Sequence, residues 1–141
     1  MWWTLVGILL VDCVCYWHHR LQHSFRTLSV GSLHITRHHT RYAKNFQQTE
    51  TNWMPRVRDM DSSVMLITLP PLSVSIGLPP ETSLAVTMSL VFVFCMHASV
   101  HNPSVVPSPL WYRLHHRRHH ACPEKCFGLL SPLWDLAMGT A

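Results

Sequence analysis

The sequence predicts an all-α integral membrane protein with a cytosolic cap of histidine-rich helices. Three observations predict this fold class: long stretches carry almost no charge, every Lys and Arg lies outside those stretches, and the 12 His fall into four short segments. With 48% hydrophobic and 13% charged residues, the composition excludes a disordered chain. A length of 141 residues fits one domain, which we place at residues 1–141.

Three apolar runs predict three membrane passes. They are Met1–Trp17, which is interrupted only by Asp12, then Ser62–Pro80 and Thr82–Tyr112. A transmembrane helix needs roughly 17 to 25 mostly apolar residues, a length that each run approaches or meets. The first run has no basic region ahead of it, so we expect an anchor rather than a cleaved signal peptide.

Prolines mark the connection between the second and third runs. The segment Gly77-Leu78-Pro79-Pro80-Glu81 interrupts a helix, because proline lacks the backbone N–H and restricts the residue before it. It predicts a tight helical hairpin. Inside the second run, Pro70-Pro71 predicts a kink or a partly re-entrant helix.

The distribution of basic residues predicts the orientation in the membrane. A hairpin returns the chain to the side that it left, so the segments Arg20–Asp61 and Arg113–Ala141 lie on one face. These two segments hold all 11 Lys and Arg. The positive-inside rule places that face in the cytosol, where most of the histidines then meet.

The first two histidine clusters have the spacing of metal ligands. His19 and His23 are four residues apart, so an α-helix places both imidazoles on one face. His34 and His38 have the same spacing, whereas His39 is rotated off that face. The second cluster therefore lies at a helix end or serves two metals.

The third cluster places three rings on one helical face: His116, His119 and His120. His115 precedes them and has the same four-residue spacing to His119. A single such pair on a basic surface is more often solvated than ligating, but three clusters on one membrane face favour metal binding. Imidazole suits zinc, copper, iron and nickel, and eight or more His favour two ions over one.

Other functional classes fit the sequence less well. The net charge of +4 suits a nucleic-acid binder, but the aromatic interleaving and motifs of such proteins are missing. The five Cys include a C-x3-C pair, Cys122 and Cys126, with no matching second pair for a zinc finger. A membrane metal carrier needs ionisable residues inside the apolar runs, which offer only Asp12 and the terminal histidines.

The three histidine clusters resemble the histidine boxes of the fatty acid hydroxylase/sterol desaturase superfamily, and the C-terminal segment resembles the C-terminal motifs of that superfamily. The matching patterns are Asp12-x3-Tyr16-Trp17-x-His19-Arg20-x2-His23, His34-x3-His38-His39, His116-x2-His119-His120, Cys126-Phe127-Gly128 and Trp134-Asp135-Leu136-Ala137-Met138-Gly139-Thr140. The resemblance implies an integral membrane enzyme with two non-haem iron ions. Such an enzyme uses dioxygen, and electrons from a cytochrome or reductase, to hydroxylate or desaturate a lipid or sterol. It implies the endoplasmic reticulum in a eukaryote or the inner membrane in a bacterium.

The resemblance also implies a set of site residues. The box ligands are His19, His23, His34, His38, His39, His116, His119 and His120. A further ligand is expected just after the last membrane run, at His97 or His101, and we retain His97. Members of the superfamily have about four membrane segments, so we expect the domain to lack an N-terminal one.

Two carboxylates are expected to hold ligating rings by accepting their second N–H: Asp12 and Asp135. The alternatives are an ion pair of Asp12 with Arg20 and a helix N-cap at Asp135. Cys126 and Met138 stand where the superfamily has Asn and Phe. The alternative function is a catalytically silent, metal-binding membrane homologue or scaffold subunit.

Overall fold

The computed structural model describes residues 2–25, 34–40, 62–101 and 108–141. Over these residues the chain is helical and forms no strand, which confirms the all-α prediction there. The elements in chain order are α1 (Trp2–Ser24), a π-helix (His34–His39), α2 (Ser62–Ser75), α3 (Pro80–His101), α4 (Leu110–Ala121) and α5 (Leu133–Met138).

Helix α3 is the centre of the fold, because it packs along both α1 and α2. Apolar side chains form the contact between these three helices, and Leu129 of the C-terminal segment packs against them. The buried cluster contains Val11, Cys15, Met65, Val86, Leu90, Val93 and Leu129. Burial of this apolar surface away from water holds the three helices together.

Gly7 allows α1 and α3 to approach closely. A Cβ at this position would lie 2.8 Å from the Thr82 carbonyl oxygen and 2.9 Å from Ala85 Cβ. The Thr82 hydroxyl also donates a hydrogen bond to the Trp3 carbonyl at 3.0 Å. Since both contacts join the start of α1 to the start of α3, the two helices run parallel and their C-terminal ends lie together.

The predicted hairpin between α2 and α3 is confirmed. Gly77 adopts φ = 74°, the left-handed conformation that glycine reaches without a Cβ clash. The Leu78 amide donates to the Ser73 carbonyl at 3.1 Å, and the Gly77 amide to the Val74 carbonyl at 3.0 Å. This pair of bonds is the Schellman motif that ends many helices, and Pro80 begins α3 directly afterwards.

The prolines of the second run, for which a kink or a partly re-entrant helix is predicted, lie inside α2. The helix continues through Pro70 and Pro71 to Ser75. Hydroxyls satisfy nearby carbonyls: Ser73 donates to Pro70 at 2.7 Å and Ser75 donates to Pro71 at 2.8 Å. The chain therefore crosses this point as a helix.

Of the described helices, α3 is the one long and apolar enough to cross a membrane, with a mean hydropathy of 1.9. Residues Met65–Ser75 form a shorter apolar helix. The predicted third run was too long: α3 ends at His101, and Tyr112 belongs to α4. Residues 102–107, between these two helices, lie outside the described residues. Most of the basic segment Arg20–Asp61 lies outside the described residues.

Candidate metal centre

The histidine clusters converge because the elements that carry them end at the same place. Parallel packing brings the last turns of α1 and α3 together, and the π-helix and α4 lie against them. Ten of the twelve His take part; His18 and His115 do not. His19, His101 and His119 are almost completely buried, as expected for rings that face a shared centre rather than solvent.

The first group consists of five buried rings whose ligand atoms all lie within 4.8 Å of one another: His19, His23, His34, His39 and His119. Their Nε2 atoms form a chain of close contacts. His34 Nε2 lies 3.2 Å from His19 Nε2 and 3.1 Å from His23 Nε2. His39 Nε2 lies 3.1 Å from the Nε2 atoms of both His23 and His119.

The second group consists of His38, His101, His116 and His120, again with all ligand atoms within 4.8 Å. His116 Nε2 lies 2.9 Å from His101 Nε2 and 3.1 Å from His120 Nε2. His97 lies at the edge of this group, with its Nε2 3.3 Å from His38 Nε2.

The π-helix explains how adjacent residues serve different groups. A π-helix closes its hydrogen bonds from residue i to i+5, so positions five apart stack over each other. His34 and His39 therefore join the first group, and His38 joins the second. The rings of His34 and His38 stack with centroids 5.2 Å apart, as their spacing predicts, but they belong to different groups. Service to two groups was one of the two predicted outcomes.

Helix α4 divides its histidines in the same way. His116 and His120, one turn apart, contribute to the second group, and His119 contributes to the first. The expectation that His115 pairs with His119 is not met, because His115 Nε2 lies 3.2 Å from the Asp135 carboxylate. A single helix and a single π-turn thus connect both groups.

Hydrogen bonds to backbone carbonyls fix the proton positions of two rings. His19 Nδ1 donates to the Phe127 carbonyl at 2.9 Å, and His119 Nδ1 donates to the Lys125 carbonyl at 2.7 Å. A carbonyl oxygen only accepts, so each neutral ring carries its proton on Nδ1 and presents a lone pair at Nε2. Both lone pairs point into the first group.

This donor set fits a metal ion. With lone pairs at His19 and His119, the three rings between them cannot supply a proton to each of the four N···N contacts. A cation satisfies all of them at once. Two nitrogen atoms that bind one ion at about 2.1 Å and at right angles to each other are about 3.0 Å apart. The Nε2 atoms in contact within the first group have similar separations.

Burial keeps these rings in the metal-binding form. It lowers the pKa of His34, His116 and His119 well below the usual histidine value, and repulsion between neighbouring rings lowers it further. At neutral pH the imidazoles are therefore neutral, and neutral imidazole is the ligand that metals bind.

Asp135 supports the metal site by accepting hydrogen bonds from backbone amides, not from a ligating histidine ring. Its carboxylate accepts from the amides of Phe127 at 2.8 Å and Gly128 at 2.7 Å, and from the Thr140 hydroxyl at 2.7 Å. We expected Asp135 to accept directly from a ligating imidazole. Instead it binds the Phe127 amide, and the carbonyl of the same residue accepts the Nδ1 proton of His19. Pro132, not Asp135, occupies the N-cap of α5.

The charge on Asp135 is stabilised by the same donors. Burial by itself would raise the pKa of the carboxyl group, but hydrogen bonds from His115, Thr140 and the Gly128 and Phe127 amides hold the pKa below its ordinary value. Asp135 is thus an anion that orders the turn containing Phe127.

Asp12 also has a different partner from the one expected. It accepts from the Ser131 amide at 3.1 Å and the Ser131 hydroxyl at 2.6 Å, which ties α1 to the C-terminal segment. The alternative ion pair with Arg20 is absent among the described contacts, since Arg20 donates to the Tyr16 hydroxyl at 2.9 Å.

His101 is the site residue that the predicted set omitted. It belongs to the second group, and its spacing of four from His97 repeats the spacing in the other clusters. That spacing was available in the sequence. No sequence pattern indicated that the Phe127 and Lys125 carbonyls accept from ligating rings, because every residue type has a backbone carbonyl.

Comparison with known proteins is consistent with this centre. The family model for fatty acid hydroxylase matches residues 4–140. An alkylglycerol monooxygenase of Danio rerio is 25% identical over 99% of this chain and 30% of its own length. The Homo sapiens alkylglycerol monooxygenase is 26% identical over 98% of this chain and 30% of its own length. The chain thus spans about a third of the length of these relatives. No solved structure matches it.

Proposed function

Since the chain belongs to the fatty acid hydroxylase family, we propose that it forms the metal-bearing domain of a membrane enzyme that hydroxylates a lipid with dioxygen. Two iron ions are the proposed cofactor. The chain covers 30% of the curated relatives, so the activity of a whole enzyme is itself part of the proposal.

The observation that carries the proposal is the pair of adjacent histidine groups. His38 and His39 are neighbours in sequence and belong to different groups, so two ions would lie close together. Nitrogen ligands without bound carboxylates suit iron as well as zinc or copper, and the family assignment favours iron.

Two bound irons would supply the reduction of dioxygen to an oxidant able to attack an unactivated C–H bond. The residues of the chain do the rest. Buried imidazoles stay neutral, and the Phe127 and Lys125 carbonyls fix the ring orientation of His19 and His119.

We further propose that the helical core lies in a membrane with the centre on its cytosolic side. Apolar side chains cover the outside of α1, α2 and α3, among them Trp2, Ile67, Leu84 and Met88. From residue 62 to residue 112 the sole charged residue is Glu81, whereas Lys and Arg flank this region. The endoplasmic reticulum or a bacterial inner membrane fits this arrangement, and a cytosolic cytochrome or reductase would deliver the electrons.

The names of the curated relatives favour an alkylglycerol as the first substrate to assay. The resemblance in sequence leaves sterols, fatty acyl lipids and desaturation open. The assay therefore includes one lipid of each kind and scores both oxygen insertion and double-bond formation.

The decisive experiment is the metal content of detergent-purified protein made without a His tag. We expect about two iron atoms per chain, lost in a His38→Ala/His119→Ala double variant, which removes one ligand from each group. His18→Ala is the matched control, because His18 lies outside both groups, and it should keep its iron.

Two results would overturn the proposal. One is zinc alone after anaerobic loading with iron, and the other is folded protein without metal. Either would favour the alternative of a silent homologue or scaffold subunit. Iron without oxidation of any assayed lipid, in the presence of dioxygen and a reductant, would reject the hydroxylase activity while keeping the metal site.

A further inference from the structure

A cavity of about 260 Å³ opens beside the first histidine group. It is lined by Arg20, His23, Ser24, Glu124, Phe127 and Thr140. Sites for whole small molecules usually measure roughly 300–1,000 Å³, so this cavity fits a small chemical group better than an entire lipid. His23 belongs both to the cavity wall and to the histidine group, which places the cavity next to the proposed reaction centre.

The Arg20 guanidinium is held at the wall of this cavity. Its Nη1 donates to the Tyr16 hydroxyl at 2.9 Å, and its Cζ lies 5.3 Å from the centroid of the Trp17 ring. A guanidinium has five N–H donors, so others remain for a ligand. Because the side chain is already positioned, a ligand would lose little entropy in ordering it.

Hydroxyl groups in the wall present oxygen lone pairs. Ser24 Oγ donates its proton to the Arg20 carbonyl at 3.0 Å, and Thr140 Oγ1 donates to Asp135 at 2.7 Å. Tyr16 Oη, which accepts from Arg20, lies 3.1 Å from Thr140 Oγ1 and supplies the proton of that bond. With their protons engaged, the Ser24 and Thr140 oxygens can accept from a ligand, as can the Glu124 carboxylate.

The wall therefore combines a cationic donor with several acceptors. Arg20 offers N–H donors to the oxygens of a ligand, and Glu124 offers carboxylate oxygens to its hydroxyl groups. A neutral group with hydroxyls both accepts from the guanidinium and donates to the oxygens. The Phe127 ring, which packs against the rings of His19 and His23, adds an apolar face for the adjoining carbon atoms.

We propose that this cavity binds the hydroxylated polar end of the substrate lipid, with Arg20 as donor and Glu124 as acceptor. The proposal rests on the proposed lipid hydroxylase function. Arg20 and Glu124 are thus specificity-determining residues, which select lipids by their head rather than by their chain.

The test measures binding without turnover. The protein as purified, in lipid nanodiscs under argon and without a reductant, is titrated with a monoalkylglycerol, with the alkanol of the same chain length and with the corresponding alkyl phosphate. We expect the monoalkylglycerol to bind at least about tenfold more tightly than the alkanol. Arg20→Gln and Glu124→Gln should each reduce this advantage to less than about threefold.

Arg117→Gln is the matched control, since Arg117 is an exposed arginine of α4 outside the cavity, and it should keep the full advantage. Circular dichroism and metal content establish that each variant is folded. If Arg20→Gln does not fold, the exposed Glu124 still provides the test.

Equal affinity for the monoalkylglycerol and the alkanol would overturn the proposal, as would an advantage that persists in both cavity variants. Tighter binding of the alkyl phosphate would make the cavity an anion site and would overturn it too. These results are separable from the proposed function, because binding is measured without oxidation. A protein that holds iron and oxidises a lipid but shows equal affinities loses only the cavity proposal.

Discussion

His19 Nδ1 donates a hydrogen bond to the Phe127 carbonyl oxygen at 2.9 Å, across 108 positions of sequence. This bond sets the tautomer of a ring in the first histidine group. The Phe127 amide in turn donates to Asp135 at 2.8 Å. The orientation of a ligand on the first helix therefore depends on a carboxylate six residues from the last residue, Ala141, in the sequence.

The first prediction concerns Asp135→Asn. An amide retains the shape but loses the charge and one acceptor, so at least one of the Phe127, Gly128 and Thr140 bonds is lost. Hydrogen bonds to charged groups contribute about 1.5–3 kcal/mol, and we expect the free energy of unfolding to fall by about 2–3 kcal/mol. Denaturant unfolding in detergent measures this. Metal content should fall as well, because the carbonyl that orients His19 moves.

Arg117→Gln is the control for that loss, since Arg117 is exposed and its substitution should leave the free energy of unfolding nearly unchanged. An Asp135→Asn variant as stable as the wild type would show that the turn containing Phe127 keeps its structure without the carboxylate.

The second prediction is a pH dependence with a definite sign. The pKa of Asp135 is lower in the folded chain than its ordinary value, with burial opposing and the hydrogen bonds producing the shift. Its contribution to stability is therefore complete above about pH 4, the ordinary pKa of Asp, and declines as the pH falls through the folded value. The difference in unfolding free energy between wild type and Asp135→Asn should shrink from pH 6 to pH 3. A constant difference over this range would contradict it.

The sequence predicts much of this centre, because ligand identity is carried by side chains at regular spacing. His19 and His23 of α1, and His116 and His120 of α4, form the pairs that their spacing predicts. The predicted pairing of His115 with His119 fails, because His115 contacts Asp135 instead. The grouping of the second cluster was not predictable from α-helical spacing, since only a π-turn brings His34 over His39.

Long-range partners were the weakest part of the prediction. Asp12 and Asp135 were expected to accept from ligating rings, but Asp12 accepts from Ser131, 119 residues away, and Asp135 accepts from the Phe127 and Gly128 amides. Any backbone amide can be such a donor, so residue type and spacing contain no signal for it. The end of α3 at His101 was likewise missed, because the apolar run continues past it.

The third prediction tests the close approach of α1 and α3. In Gly7→Ala the new Cβ would lie 2.8 Å from the Thr82 carbonyl oxygen, a backbone atom that cannot move by itself. Overpacking of this kind costs about 1–3 kcal/mol, and we expect that loss in the free energy of unfolding. Gly77→Ala is the comparison: it meets no atom within 4 Å but has φ = 74°, so its cost of about 1 kcal/mol is conformational. An unchanged stability of Gly7→Ala would mean that the helices can separate without loss.

The fourth prediction concerns the backbone at Cys126, which adopts φ = 58°. Non-glycine residues are strained in this region, and Asn tolerates it better than most. Cys126→Asn should raise the free energy of unfolding by about 0.5–1 kcal/mol. Cys122→Asn, at an exposed position with φ = −131°, should give no gain. A loss of stability in Cys126→Asn but not in Cys122→Asn would show that packing of the buried thiol outweighs the strain.

The last prediction separates His97 from His101. The ligand atom of His101 lies within 4.8 Å of every other ligand atom of the second group, and its Nε2 is 2.9 Å from His116 Nε2. His97 contacts this group at its edge, 3.3 Å from His38 Nε2. We therefore expect His101→Ala to lower the bound metal by about one ion per chain, and His97→Ala to retain more of it. Elemental analysis of both variants after identical loading measures this. Equal losses would make His97 a full ligand, and a loss confined to His97→Ala would contradict the assignment of His101. Because both residues lie on the last turns of α3, a similar helical content in the two variants makes the comparison one of ligation rather than of folding.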